Sequence, residues 1–295
     1  MTDAIDLSRL PPPTIIDELD FEAILAELKA DLLERSPEVA DVLDLESEPL
    51  VKLLEVVAYR ELILRAQHNE RLRALLLAYA RGPELDHIGV TYYLTERLEL
   101  DPGDPEAVPP VPPTMESDDD YRRRILLAFD GWSTAGPERS YVYHALGADP
   151  QVKDATSITP ARGEVLITVL SREGNGEASP ELIEAVQDAT NDEWVAPQTD
   201  FVTVQGATIN AYQSIAELEV YPGPDPEMVR EEAEKQVNAW VEEQHRLGVT
   251  IVRDALLARH YVEGVRRVNL ISPAADIVCE PTEAPFADAV EVTLG

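Results

Sequence analysis

Residues 47–83 read SEPLVKLLEVVAYRELILRAQHNERLRALLLAYARGP. The spacing predicts one long helix. Ser47 is a plausible cap with Pro49 in the first turn, and Gly82-Pro83 is a strong stop signal. Leu50, Leu53, Leu54, Val57, Leu64, His68, Leu72, Leu75, Leu76 and Tyr79 form its main apolar stripe. Leu62-Ile63-Leu64 and Leu75-Leu76-Leu77 spread apolar surface beyond that stripe, as in a helix with more than one packing partner. A run of ~32 residues rises roughly 48 Å, whereas a 100-residue globular unit has a radius of gyration of only ~13 Å. The stripe is therefore expected to be a bundle interface with other subunits. The competing reading is a long core helix inside one compact domain.

Upstream, Phe21, Ile24, Leu25, Leu28 and Leu32 fall at helical spacing, and Pro37 ends that helix. It can cover only part of the long rod. Residues 1–20, with prolines at 11–13, read as an extended arm. Downstream, residues 101–114 are DPGDPEAVPPVPPT, in which six of fourteen residues are proline. That is a stiff linker without a core. The expected organisation is an arm and helical bundle domain (1–100), a Pro-rich linker (101–116), a first α/β domain (117–206) and a second (207–295).

Beyond the linker the pattern turns mixed. Helices are expected at 117–130, after Gly136-Pro137, at 179–190 and at 225–248, and strands at 152–159, 164–170, 200–205 and 209–220. VRDALLARHYVEGV (252–265), RRVNLIS and AVEVTL echo the earlier helix and strand pair, so 137–205 and 209–294 look like two cyclically offset versions of one plan. The fold class is α+β: a long-helix bundle segment followed by two related α/β modules with small mixed sheets.

Composition narrows the function. Lys plus Arg is 24 and Asp plus Glu is 57, a formal net charge of -33 over 295 residues. Such a field repels DNA and anionic membrane, so neither nucleic acid nor membrane is an expected partner. Cys279 is the single cysteine, which excludes an intrachain disulfide and fits a reducing cytoplasm. The segment MTDAIDLSRLPPP lacks a basic and then apolar run, and no apolar run approaches a membrane span.

The stretch ESDDDYRRRILLAFDGW (116–132) sets three aspartates against three arginines. A metal or phosphate site is one reading, and a helix start is the better one. Ser117 has capping-box spacing to Asp120, and Asp118, Asp119 and Asp120 meet the positive end of the helix dipole. Each lies four residues before an arginine, which predicts surface pairs Asp118–Arg122, Asp119–Arg123 and Asp120–Arg124. Tyr121, Ile125, Ala128, Phe129 and Trp132 make the expected buried face. The three carboxylates diverge around the turn, whereas metal ligands converge. No phosphate loop and no HExxH occurs, GNGEAS (174–179) reads as a turn, and His68, His87, His144, His245 and His260 never pair at ligand spacing. His68 and His260 read as packing or interface residues and Cys279 as a buried thiol. No catalytic residue, metal or cofactor is expected.

These stretches also carry a resemblance. GPELDHIGVTYYLTER (82–97), MESDDDYRRRI (115–125) and STAGPERSYVYHA (133–145) look like the hallmark series of the baseplate J family, wedge proteins of contractile phage tails and of phage-tail-like bacteriocins such as R-type pyocins. LDFEAILAELKADLLE (19–34), LESEPLVKLLEVVAYRELI (45–63), VLSREGNGEASPELI (169–183), EVYPGPDPE (219–227) and AWVEEQHRLGVTIVRDAL (239–256) are similar to the P2-type form. The resemblance implies a structural protein, not an enzyme, assembled in the bacterial cytoplasm and finally located in the baseplate of the virion or tail particle. It implies wedges of two copies of this chain with one tail protein I-type subunit, their long helices in a shared bundle. It further implies contacts to neighbouring wedges, the hub and a W-type sheath initiator, and a ring that widens to trigger sheath contraction. The competing functions are a general cytoplasmic scaffold or a carboxylate-based hydrolase.

Overall fold

The computed structural model describes Leu7, residues 17–223 and residues 225–295. Most of the proline-bearing arm expected at 1–20 lies outside the described residues. The chain divides into two compact units, residues 5–96 and residues 97–295.

In the first unit, α1 (Phe21–Arg35) starts at Asp20, whose carboxylate accepts from the Glu22 and Ala23 N–H groups at 2.9 and 3.1 Å. A 3-10 turn follows at Pro37–Val42. Next comes α2 (Pro49–Ala74), and then α3 (Gly82–Tyr93). The single helix expected over 47–80 is corrected: its last turn does not form. The α2 helix has 26 residues, about 39 Å of rise, and leaves the helical path in a turn at Leu75–Tyr79. Gly82-Pro83 opens α3 instead of closing α2, because proline is as well suited to a first turn as to a stop. Nor does Ser47 cap α2: its N-cap is Glu48, without a side-chain bond. Ile24 and Leu25 of α1 bury against Ala58, with Leu54 and Leu62 of α2 beside them. Asn69 ties the approach to α1 down, receiving the Asp17 N–H on Oδ1 at 2.9 Å and donating to the Asp17 carbonyl at 2.8 Å.

In the second unit, β1 (Glu99–Asp101) and β2 (Thr114–Met115) pair antiparallel. The proline segment between them folds back as a hairpin, with reciprocal Asp104–Val111 backbone bonds at 3.0 and 2.9 Å. Gly103 permits this: its φ is +67°, and a Cβ would meet the Val111 carbonyl oxygen at 2.4 Å.

The α4 helix (Asp118–Gly131) and α5 (Glu138–Ala148) precede β3 (Val152–Ile158) and β4 (Glu164–Ser171). After α6 (Pro180–Thr190) comes β5 (Phe201–Gly206). The sheet order is β3-β4-β5, with β3 antiparallel and β5 parallel to the central β4. Its core joins Tyr141, Val142 and Leu146 to Ile167, Val169, Leu182 and Val186.

The second module runs β6 (Thr208–Val220), α7 (Pro226–Gln244), α8 (Arg253–Arg259), β7 (Val265–Ser272) and β8 (Glu283–Leu294). Its order is β7-β6-β8, with β7 antiparallel and β8 parallel to the central β6. Leu218, Val237, Ile251 and Leu256 anchor its core. The fold class is α+β, and both sheets place one antiparallel and one parallel neighbour on a central strand. The equivalence differs from the sequence echo, which matched β4 with β8. By role in the sheet β4 matches β6 and β5 matches β8. The α5–β3 and β4–α6 pairs therefore exchange chain order, while the parallel edge strand stays last.

Candidate assembly faces and the charged junction

The α4 helix begins with Ser117 Oγ accepting from the Asp120 N–H at 3.2 Å. Its three aspartates do diverge, but toward partners other than those expected. Asp118 receives Arg97 Nη2 at 2.7 Å, and Asp119 receives Arg122 at 2.7 Å, one residue short of the expected spacing. Asp120 lies between Arg172 and Arg246, at 3.0 and 2.9 Å. Arg123 reaches Asp154 at 2.7 Å, and Arg124 clasps buried Glu116 with Nε and Nη2 at 2.9 and 2.8 Å. The expected pairs Asp119–Arg123 and Asp120–Arg124 are not formed: Asp119 keeps a local partner in Arg122, Arg124 turns back to Glu116, and Arg123 and Asp120 take long-range partners. Tertiary partners in low dielectric outcompete solvated i,i+4 contacts that are worth a few tenths of a kcal/mol.

Tyr121, Ile125 and Ala128 are buried, with Leu127 and Arg124 beside them. Phe129 and Trp132 are exposed, which corrects their place in the buried face. Trp132 is the C-cap, one position past the last helical residue, and its ring meets Phe129 edge-on at 5.1 Å.

This helix start sits where the two sheets meet. Asp154 of β3 is 1 % exposed and accepts from Arg123, from its neighbour's Ala155 N–H at 2.8 Å and from the Leu247 N–H at 3.0 Å. Lys153 pairs with Glu242, and Thr156 Oγ1 donates to the Pro281 carbonyl at 2.7 Å. Leu170, Leu247 and Ala284 form a small apolar core under these charges. Burial alone would raise the Asp120 carboxyl, but Arg246 and then Arg172 outweigh it and hold Asp120 below the ordinary aspartate range. Glu242 behaves alike, with Lys153 outweighing its burial. His245 Nδ1 lies 2.7 Å from the Pro285 carbonyl, and burial holds its imidazole below the usual range. The junction is an ionic clasp between two modules in which Nη1 of Arg123 and Nη1 of Arg246 are buried without a hydrogen-bond partner.

The stripe residues of α2 divide. Leu54 packs against α1, and Leu50, Leu72, Leu76 and Tyr79 are half-buried. Leu53, Val57, Leu64, His68 and Leu75 are exposed, Leu53 at 59 % and Leu75 at 73 %. Val56, Tyr59 and Ile63 extend this apolar surface into an open groove shared with Phe21, Glu55 and Arg60. Sequence reasoning missed Val56 and Tyr59, although Val56-Val57 and Tyr59 broaden the apolar arc of the helix in plain view.

Cys279 is buried, its thiol raised by burial and held 3.4 Å from Asn210 Nδ2. His260 is buried and its Nδ1 lies 3.0 Å from the Leu256 carbonyl. Among the described residues no group of three or more His, Cys, Asp or Glu could hold a metal ion, and no helix is long and apolar enough to cross a membrane.

Residues 46–104 match the Baseplate J-like N-terminal domain, residues 133–206 the Baseplate J-like central domain, and residues 212–293 the Baseplate J-like protein C-terminal domain. The chain is 50% identical over 296 residues to a protein of Escherichia phage P2 described as "Baseplate protein J", with 99% of this chain and 98% of that protein covered.

Proposed function

Because the chain belongs to the Baseplate J-like family, we propose that it is a structural subunit of a contractile-tail baseplate and performs no catalysis. The observation that carries this is the 50% identity to the phage P2 baseplate protein along essentially the whole of both chains. The particle is a phage tail or a headless tail-like bacteriocin, and the protein ends in its baseplate after assembly in the bacterial cytoplasm.

The finer reading gives each part a role. Residues 1–100 supply the bundle. The exposed residues Leu53, Val57, Leu64 and Leu75 of that segment gather two copies of the chain and one tail protein I-type subunit into a wedge. Residues 101–116 connect this bundle to the modules at 117–206 and 207–295, which join neighbouring wedges into a ring around the hub and meet a W-type sheath initiator. The clasp of Asp120 with Arg172 and Arg246 and of Asp154 with Leu247 supports a role in force transmission. Modules locked together move as one lever, so a displacement at one interface reaches the next and widens the ring on contraction.

The test is co-expression with the tail protein I-type subunit, followed by native mass spectrometry. A two-to-one heterotrimer that fails to form without residues 1–100 is the expected result. A stable monomer indifferent to that subunit would overturn the wedge.

A further inference from the structure

Two of the three tryptophans stand in water: Trp132 is 55 % exposed and Trp194 is 77 % exposed. Both lie at one end of the first module. Trp132 follows the last residue of α4, with the Phe129 ring edge-on to it at 5.1 Å. Trp194 sits in a turn whose bend is fixed by its own N–H donating to Asp192 Oδ1 at 2.9 Å. Two contacts bring these loops together. His144 of α5 lies 3.0 Å from the Gly131 carbonyl and near enough to Asp192 to feel its charge. Gly136 is pressed on the other loop, where a Cβ would come within 2.8 Å of Pro197 Cγ and 2.7 Å of Asp200 Oδ2.

The charge on these loops is predominantly acidic. Glu138, Asp192 and Glu193 are exposed and make no ion pair among the described residues. Arg139, in the first turn of α5, is committed to Asp130 at 2.7 Å, and Arg162 is exposed in the neighbouring β3–β4 turn, where the Gly163 carbonyl accepts from the Phe201 N–H at 2.7 Å. Asp200 accepts the Tyr141 hydroxyl at 2.9 Å. An exposed indole bordered by carboxylates without counterions fits a cation. The ring quadrupole draws a guanidinium onto its face, the acids supply the longer-range attraction, and arginine with tryptophan is a favoured hot-spot pair. The chain makes the same contact internally, with Arg259 over the Trp240 ring at 6.0 Å. The same end of a second copy is a poor occupant, since its exposed carboxylates carry the same sign.

We propose that this end of the first module is a docking surface for an arginine-rich, basic segment of a different protein in the same particle. The inference rests on the baseplate reading only for where that partner is found. Its test is hydroxyl-radical footprinting of Trp132 and Trp194 in the free full-length chain and in purified tail particles, for the wild type and for the doubly charge-reversed variant Glu138→Lys with Glu193→Lys. Both glutamates are exposed, and near-ultraviolet circular dichroism checks the fold. The expected result is severalfold slower oxidation of both indoles in the particle. The charge-reversed chain should either enter the particle unprotected or be lost from it. Wild-type tryptophans oxidised equally in both states would overturn the proposal. So would protection that survives charge reversal, which marks an apolar occupant, or protection in the concentrated free chain, which marks a second copy. A wild-type chain missing from the particle would fell the baseplate reading and this one together, whereas a wild-type chain present with unprotected tryptophans fells this one alone.

Discussion

Leu247 donates its backbone N–H to the buried carboxylate of Asp154 at 3.0 Å, across 93 positions of chain. One side chain thereby holds the β3 strand, the α4 helix through Arg123, and the segment after α7. Asp154→Ala would leave Arg123 and that N–H without their acceptor. The expected cost is about 3–5 kcal/mol, the range for breaking a buried charged pair. Asp120→Asn, at a wetter site, is expected to cost about 2 kcal/mol. Urea denaturation measures both, and changes near zero would show that the clasp adds nothing to stability.

The pH profile should decline in two stages. Burial holds the imidazoles of His144, His245 and His260 below the ordinary histidine range. Each binds its proton less readily in the fold than in the unfolded chain, where uptake sets in below about pH 6.5. Stability therefore falls with pH from there, by at most about 1.4 kcal/mol per pH unit for each histidine. Asp120 and Glu242 are held low by their cations. Their contribution is intact above their unfolded values near 4 and is lost as pH falls through the folded ones, so the second decline lies below about pH 4. Stability measured by denaturant titration from pH 8 to 3 checks both. A flat line between pH 6.5 and 5 would contradict the histidine stage.

Two glycines of one turn should respond unequally to alanine. Gly174 has φ +59° and nothing within 4 Å of where a Cβ would stand, so Gly174→Ala carries only the left-handed backbone cost, about 1 kcal/mol. Gly176 has φ +98°, and its Cβ would lie 2.6 Å from Leu170 Cδ1 and 2.8 Å from His245 Nε2. Gly176→Ala should cost about 1–3 kcal/mol more, because overpacking adds to the backbone term. Thermal unfolding of the two variants side by side gives the difference.

Leu53→Asp and Leu75→Asp should leave the free chain within about 0.5 kcal/mol of wild type, since both side chains are exposed. In co-expression with the tail protein I-type subunit they should abolish the complex. Wild-type assembly by either variant would remove its residue from the bundle.

Local chemistry is legible in the sequence, and distant pairing is not. Asp225 and Ser179 accept from N–H groups two and three residues ahead, and such caps follow from residue type and spacing alone. The partners of Asp120 lie 52 and 126 positions away, and nothing near Asp120 announces them. The nearer arginines are the natural guess, and a buried site outcompetes them. Trp132 misleads for a different reason: it keeps helical register with Ile125 and Ala128, but the helix has already ended. The outward face of α2 is readable because Leu53, Val57 and Leu64 exceed what one short neighbour can cover. Its end at Ala74 is not, because Leu75-Leu76-Leu77 continues the apolar pattern through a turn.

The exchanged order of units in the two sheets sets a timetable for synthesis. The central β4 emerges just after its antiparallel partner and finds β5 soon afterwards, so the first module can close while the rest is still being translated. The central β6 leaves the ribosome first in its module, and the partner of its Thr208 is Glu283. At ribosomal rates that interval is roughly 4–15 s. Until β7 is made, both edges of a thirteen-residue strand are open, and the edge that takes β8 stays open throughout, the condition under which nascent chains pair with one another. The hazard is greatest for chains that stall late, after α7 and α8 are made but before β8 arrives to close the edge.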